Sequence, residues 1–299
     1  MRLIGCPMDL GGGRRGVDMG PSAIRYTGIG AKIEALGYEF TDDGDVAVPV
    51  AERRDPGDPR ARYLAEITRA CNRLCWRTKR ALENDEVPLV IGGDHSIAAG
   101  TVAGVAAHYK ERGHKLGLIW VDAHADMNTP ETSPTGNIHG MPLAAILGMA
   151  PEPLAMLADF KPKVLAANCA VIGLRSIDEL EKRNVRDSGV HAYTMRDLDE
   201  RGMREVITEA IGHATQGTAG FHLSFDLDGM DPNDVPGVGT AVKGGIGWRE
   251  ASLLMEVVAD SGRMTSLEVT ELNPIFDVRN QSGEVAVELI LSALGNSIL

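Results

Sequence analysis

The stretch VDAHADMN, residues 121–128, sets Asp122, His124 and Asp126 at alternate positions directly behind the apolar run LGLIWV. Two further apolar runs end in the same kind of chemistry. VPLVIGG leads into DHS and so to His95, and HLSF leads into DLDG with Asp226 and Asp228. In an extended strand end, residues two apart share a face, so each group can form one wall of a common site. Four carboxylates balance two divalent cations, and two neutral imidazoles add donors without charge. The arithmetic therefore points to a pair of ions with a bridging hydroxide. An oxygen-rich set with some nitrogen and no sulfur suits manganese, with cobalt, iron or nickel as substitutes, and argues against structural zinc. Two such ions about 3.5 to 4 Å apart make a hydroxide nucleophile near neutral pH. A lone DxH or DxD is ordinarily a solvated strand end, and only the repetition at three strand ends singles these out. His108, His114, His191, His213 and His222 lack such acidic company and read as structural or surface groups.

Elements of one kind must deliver those ends together. Short apolar runs (RLIGCPMD, VPLVIGG, LGLIWVD, CAVIGLRS, GVHAYTM, GFHLSFDLD, MTSLEVTELN) alternate with amphipathic stretches. That alternation implies a parallel sheet covered on both faces. The predicted helices span SAIRYTGIGAKIEALG, Asp58 to Asn84, Ile97 to Arg112, Ile177 to Asp187, Arg204 to Thr215, Trp248 to Ser261 and Gly283 to Leu294. In open parallel sheets ligands bind beyond the carboxyl ends of the strands, where the loops Thr129 to Gly140 and Asp231 to Gly247 follow the acidic ends.

Two motifs mislead. Asp226-Leu227-Asp228-Gly229 hints at a calcium loop, but Asp231 and Gly237 stand where an EF-hand needs Gly and Glu. Gly11-Gly12-Gly13-Arg14-Arg15-Gly16 matches a dinucleotide fingerprint, yet no helix opens there, since Val17 to Gly20 intervene and Pro21 suits a first helical turn.

With 299 residues, one domain over 1–299 is expected. A net charge of -12 opposes nucleic-acid and anionic-membrane partners and permits a small cationic substrate. Cys6, Cys71, Cys75 and Cys169 form no C-x-x-C and suggest no disulfide framework, and with no signal pattern or membrane span the protein is expected to be cytoplasmic.

GGDHS (92–96), DAHAD (122–126), TSPTGNIHG (132–140), SFDLDG (224–229) and TELNP (270–274), in that order, resemble the ureohydrolase family, and most closely its bacterial arginases. The resemblance runs from GCPMDLGGGRRGVDMGPSAIR to the final helix. It implies an α/β fold of three layers, α/β/α, with a mostly parallel eight-stranded sheet related to arginases and deacetylases. It also implies two Mn²⁺ ions per subunit and a homo-oligomer, trimer or hexamer. By resemblance His95, Asp122, Asp126 and Asp226 hold one ion, and His124, Asp122, Asp226 and Asp228 the other.

The implied reaction is hydrolysis of L-arginine to L-ornithine and urea. Asp126 takes the first proton, His139 in its Gly-bounded loop shuttles protons, and Glu271, not needed by the metals, holds the guanidinium. Asn128, Ser133, Thr135 and Asn137 supply donors for the substrate carboxylate, Asp178 accepts from its ammonium, and Thr240 is carried over as a substrate-side contact. Arginases often read RDxD where this chain has Arg175-Ser176-Ile177-Asp178, which removes one acid near the ammonium. Ala241 and Lys243 also depart from the usual pattern. The alternative is a related ureohydrolase acting on agmatine or guanidinobutyrate. A non-catalytic metal-dependent protein would not need His139 and Glu271, and a single-zinc deacetylase would not need six ligands.

Overall fold

Eight strands form one sheet in the computed structural model, which describes residues 1–297; the last two residues of the expected domain lie outside them. The strands are β1 (Arg2–Cys6), β2 (Thr41–Asp45), β3 (Pro88–Gly92), β4 (Gly117–Val121), β5 (Cys169–Leu174), β6 (His191–Thr194), β7 (Phe221–Asp226) and β8 (Met264–Thr270). Their order is β2-β1-β3-β8-β7-β4-β5-β6, and every pairing is parallel. The helices are α1 (Gly20–Tyr26), α2 (Ile29–Ala35), α3 (Leu64–Glu83), α4 (Ala98–Glu111), α5 (Pro142–Ile146), α6 (Glu152–Ala155), α7 (Glu181–Ser188), α8 (Met195–Arg201), α9 (Met203–Thr215), α10 (Trp248–Ser261) and α11 (Gln281–Ala293).

Side-chain alternation splits the strands between two apolar layers, as a buried parallel sheet requires. Leu89, Ile91, Ile119, Val121, Phe221, Leu223 and Phe225 pack toward α1, α2, α9, α10 and α11. Val90, Leu118, Trp120 and Val171 point the other way, toward α3, α4 and α5. The result is the expected α/β/α sandwich.

Four expectations need correction. SAIRYTGIGAKIEALG is not one helix: Gly28 turns left-handed (φ 77°) and separates α1 from α2, a conformation glycine adopts at little cost. β2, read from TDDGD, carries no apolar alternation and was invisible to the period-2 criterion. It is an edge strand held by ion pairs, Arg25 reaching Asp42 (2.7 Å) and Asp45 (2.6 Å), and Arg2 reaching Asp43 (2.8 Å). The helix predicted from Asp58 begins only at Leu64, and the one predicted from Ile177 only at Glu181.

α3 and α4 approach closely because α4 is lined with small residues. A Cβ on Gly104 would fall 2.0 Å from Thr78 Oγ1 and 2.3 Å from the Cys75 carbonyl. Gly104→Ala is therefore expected to lower the Tm: overpacking costs roughly 1 to 3 kcal/mol and outweighs a helix-propensity gain of about 1 kcal/mol. Calorimetry checks this, and an unchanged or raised Tm would contradict the close packing.

Candidate metal centre and substrate cavity

The four central strands β3, β8, β7 and β4 bring their carboxyl ends side by side, and those ends carry the acids and imidazoles. His95 follows β3, Asp122, His124 and Asp126 follow β4, Asp226 and Asp228 close β7, and Glu271 follows β8. The local mechanism is not a continued pleat. Each turn is held by an aspartate that accepts from a backbone N–H two residues on: Asp94 from Ser96 (3.1 Å), Asp122 from His124 (2.7 Å), Asp226 from Asp228 (2.7 Å). Asp126 then adopts a left-handed backbone (φ 52°), tolerable for Asp, and Glu271 does the same at φ 65°.

His95 Nδ1 faces three carboxylates, at 3.2 Å from Asp122, 3.1 Å from Asp126 and 2.9 Å from Asp226, yet this buried nitrogen has no hydrogen-bond partner. Its other nitrogen is engaged: Nε2 lies 2.8 Å from Ser224 Oγ, which donates to Glu268 (2.7 Å). That relay has Nε2 donating and leaves the Nδ1 lone pair aimed at the acids, the tautomer a cation needs. The ring stacks on Trp120 at 4.0 Å, and Trp120 Nε1 donates to Asp122 (3.0 Å).

Two donor groups result, His95 with Asp122 and Asp126, and Asp122 with His124 and Asp228, the ligand atoms of each within 4.8 Å of one another. Asp122 is shared between them. Burial and neighbouring carboxylates raise the pKa of three of these acids: Asp126 is pushed up to about 7 by burial and then by Asp122, and Asp226 and Asp228 are also raised, whereas His124 and His95 overcome burial and lower Asp122. So much negative charge in a dry site is balanced by cations, and the hard oxygen donors with two imidazoles fit a divalent pair of the manganese type.

Above the donors lies a cavity of about 190 Å³, lined by every side chain nominated from the sequence except Asp122, which sits fully buried beneath it. Glu271 Oε1 accepts from the His95 backbone N–H (2.8 Å) and from His139 Nδ1 (3.1 Å). Burial would lower the His139 pKa, but the Glu271 carboxylate beside it wins and holds it up at about 9. Thr240 Oγ1 donates to Asp228 (2.5 Å), so in this structure it steadies a donor while facing the cavity.

The loop bordering the cavity is prearranged. Ser133 Oγ accepts from Gly136 N–H (3.0 Å) and Thr135 Oγ1 from Asn137 N–H (3.2 Å), which leaves both hydroxyl protons free to donate. Asn128 donates to Asp178 (3.0 Å), tying a proposed carboxylate donor to the proposed ammonium acceptor.

Three groups escaped the sequence reading. Glu181 lines the cavity as the first residue of α7 and accepts from the Met127 N–H (2.8 Å), and burial lifts it to about 7. Arg175 is a staple: its guanidinium donates to the carbonyls of Asp228 (2.7 Å), Gly229 (3.0 Å), Met230 (3.0 Å) and Val242 (2.9 Å). Asp94 accepts from Gly11 N–H at 2.7 Å, where a Cβ would sit 2.5 Å from its Oδ1. The glycine run thus docks against the site, with Gly11 O accepting from His139 N–H (3.2 Å) and Arg14 donating to Gly239 O (2.8 Å). DHS and RSxD signalled two of the three, had Asp94 and Arg175 been asked for partners.

A sequence profile of the Arginase family matches residues 1–295. The chain belongs to the arginase family. It is similar to arginase of Bacillus caldovelox, 48% identical over 298 residues, covering 99% of this chain and 98% of that one. It is likewise similar to arginase of Bacillus subtilis (strain 168), 48% identical over 297 residues, covering 99% and 98%. The native structure of the Bacillus caldovelox arginase superposes with a TM-score of 0.96 over 100% of this chain and 99% of that one. Membership makes this chain a hydrolase whose donor cluster is a metal-binding one. Among the described residues no helix is long and apolar enough to cross a membrane.

Proposed function

We propose that this chain hydrolyses the guanidinium group of L-arginine to L-ornithine and urea with two divalent cations, manganese being the pair its donors suit. The observation that carries the reading is the orphaned His95 Nδ1 among three buried carboxylates, beneath a cavity that also holds Glu271 and His139. His95, Asp122, Asp126 and Asp226 would hold one cation, and His124, Asp122, Asp226 and Asp228 the other. Bound cations of this kind would supply a water acidified enough to act as a nucleophile at neutral pH.

The chain's own groups do the rest. Glu271 accepts from the planar guanidinium and fixes its carbon over the donors by a charge-assisted hydrogen bond. Asp126 accepts the proton released as the new C–O bond forms and passes it to the departing amine nitrogen. His139, kept protonated by Glu271, relays protons between that nitrogen and bulk water. Ser133, Thr135 and Asn137 donate to the α-carboxylate while Asp178 and Glu181 face the α-ammonium. Agmatine has no carboxylate and would leave those donors unsatisfied, at a cost in binding.

Metal analysis of the purified protein paired with urea release from L-arginine and from agmatine tests the reading. Two ions per chain and a strong preference for L-arginine are expected; one ion at saturation, or equal turnover of both, would overturn it. Asp178→Ala is expected to raise the KM for L-arginine by roughly 10- to 100-fold through loss of one charge-assisted hydrogen bond, with little change for agmatine. In the same reading the enzyme is cytoplasmic, in keeping with four buried free cysteines, and a homo-oligomer, trimer or hexamer, which sedimentation resolves.

A further inference from the structure

At the opposite end of the sheet from the metal centre, the amino ends of β4 and β5 lie side by side, Leu118 pairing with Cys169. There the loop leaving α4 and the segment before β5 border another cavity, of about 230 Å³ and open to solvent on one side. Four of the chain's eight lysines, Lys110, Lys115, Lys161 and Lys163, line it together with His114. Ten lining residues of 299 should carry less than one lysine by chance, and no acid is among them. In a chain of net charge -12, this is a concentration of cations with a cause to find.

The arrangement is strained electrostatically. Lys110 Nζ lies 3.8 Å from the centre of the Phe160 ring and Lys163 Nζ 4.4 Å from the same centre, so one aromatic ring serves two ammonium groups. Lys163 is only 6% exposed, and its ammonium donates to the Ala155 carbonyl (2.7 Å) and the Phe160 carbonyl rather than to a carboxylate. Lys161 is paired, to Glu152 at 2.5 Å, whereas Asp159 acts on Lys163 only at longer range. Burial first, and then Lys110 and Lys161, lower the Lys163 pKa to about 8 against the opposing pull of Cys75 and Asp159. The negative end of α4 accounts for Lys110 alone. The depression is partly open to solvent and has room for a compact ion among its lysines.

We propose that this cavity binds a compact tetrahedral dianion of the phosphate class, gripped between Lys110, His114 and Lys115 on one side and the Lys161 to Lys163 segment on the other. The source of such an ion is inorganic phosphate or a small phosphate monoester. Sulfate reports the shared chemistry, and glycerol 3-phosphate reports whether an organic substituent is accommodated.

Calorimetric titration of the metal-loaded protein with sodium sulfate and with glycerol 3-phosphate, at ionic strength held constant with chloride, reads the site. Saturable binding at millimolar concentration or below is expected for sulfate. Tighter binding of glycerol 3-phosphate assigns a monoester, and tighter binding of sulfate the free ion. Lys110→Ala/Lys115→Ala, two exposed side chains whose loss should leave the Tm and turnover of L-arginine unchanged, is expected to weaken binding at least about tenfold. Lys110→Arg/Lys115→Arg should restore it. No saturable binding by the parent, or equal affinity in parent and double-alanine variant with the ion therefore held elsewhere, overturns the assignment.

Discussion

Asp126→Asn should lower kcat on L-arginine by about 10²- to 10⁴-fold, the range for loss of a positioned general base, and reduce bound metal from two ions per chain to one. The substitution isolates chemistry from folding. Asn adopts the left-handed backbone that Asp126 requires (φ 52°) and keeps nearly the same volume. The Asp126 carbonyl accepts from Leu143 N–H (3.0 Å) and Ala144 N–H (3.2 Å) at the start of α5, and this contact survives the change. What is lost is the carboxylate 3.1 Å from His95 Nδ1 and its capacity to take a proton. Steady-state rates, metal content and Tm together read the result; near-parent kcat with two ions retained would remove Asp126 from the proposed proton path.

For Glu271→Gln the expected loss is about 10²- to 10³-fold in kcat/KM, the scale on which one preorganised partner of a charged group acts. Gln can still accept from the His95 N–H, so the strand end stays in place. The guanidinium, however, loses its anionic partner, and His139 loses the carboxylate that holds its pKa near 9. The sign is set by that direction: a histidine with a raised pKa keeps its proton until pH rises through the raised value. In the variant the His139 proton should leave at lower pH, and the alkaline limb of the kcat profile should move toward neutrality. A profile superimposable on the parent's would separate His139 from the rate. His139→Asn should cost less than Asp126→Asn, since buffer can substitute for a shuttle that touches solvent.

The donor set was legible because its signal is local. A run of apolar residues ending in closely spaced acids, with or without an imidazole, needs no tertiary knowledge to read, and it occurs at β3, β4 and β7. Seven of eight strands showed themselves by apolar runs; β2 did not, because an edge strand of TDDGD is stabilised by Arg2 and Arg25 from elsewhere in the chain. The helix boundaries at Leu64 and Glu181 were misjudged for a related reason: polar residues before them satisfy turns, such as Asp58 accepting from Arg60 N–H, as readily as a helix.

Composition and order of residues thus carried the strand-helix alternation and nominated the candidate metal donors and the proposed pair His139 and Glu271, since each is a property of a few neighbouring side chains. Which ends meet was decided by the order β3-β8-β7-β4, which sets the His95 backbone N–H 2.8 Å from Glu271, 176 residues away. Glu181 under the loop over the cavity, Arg175 across a run of backbone carbonyls, and four lysines around one cavity came from the same source. Contacts of that kind depend on packing between distant segments, where burial removes water and makes each partner matter, and no local pattern records them.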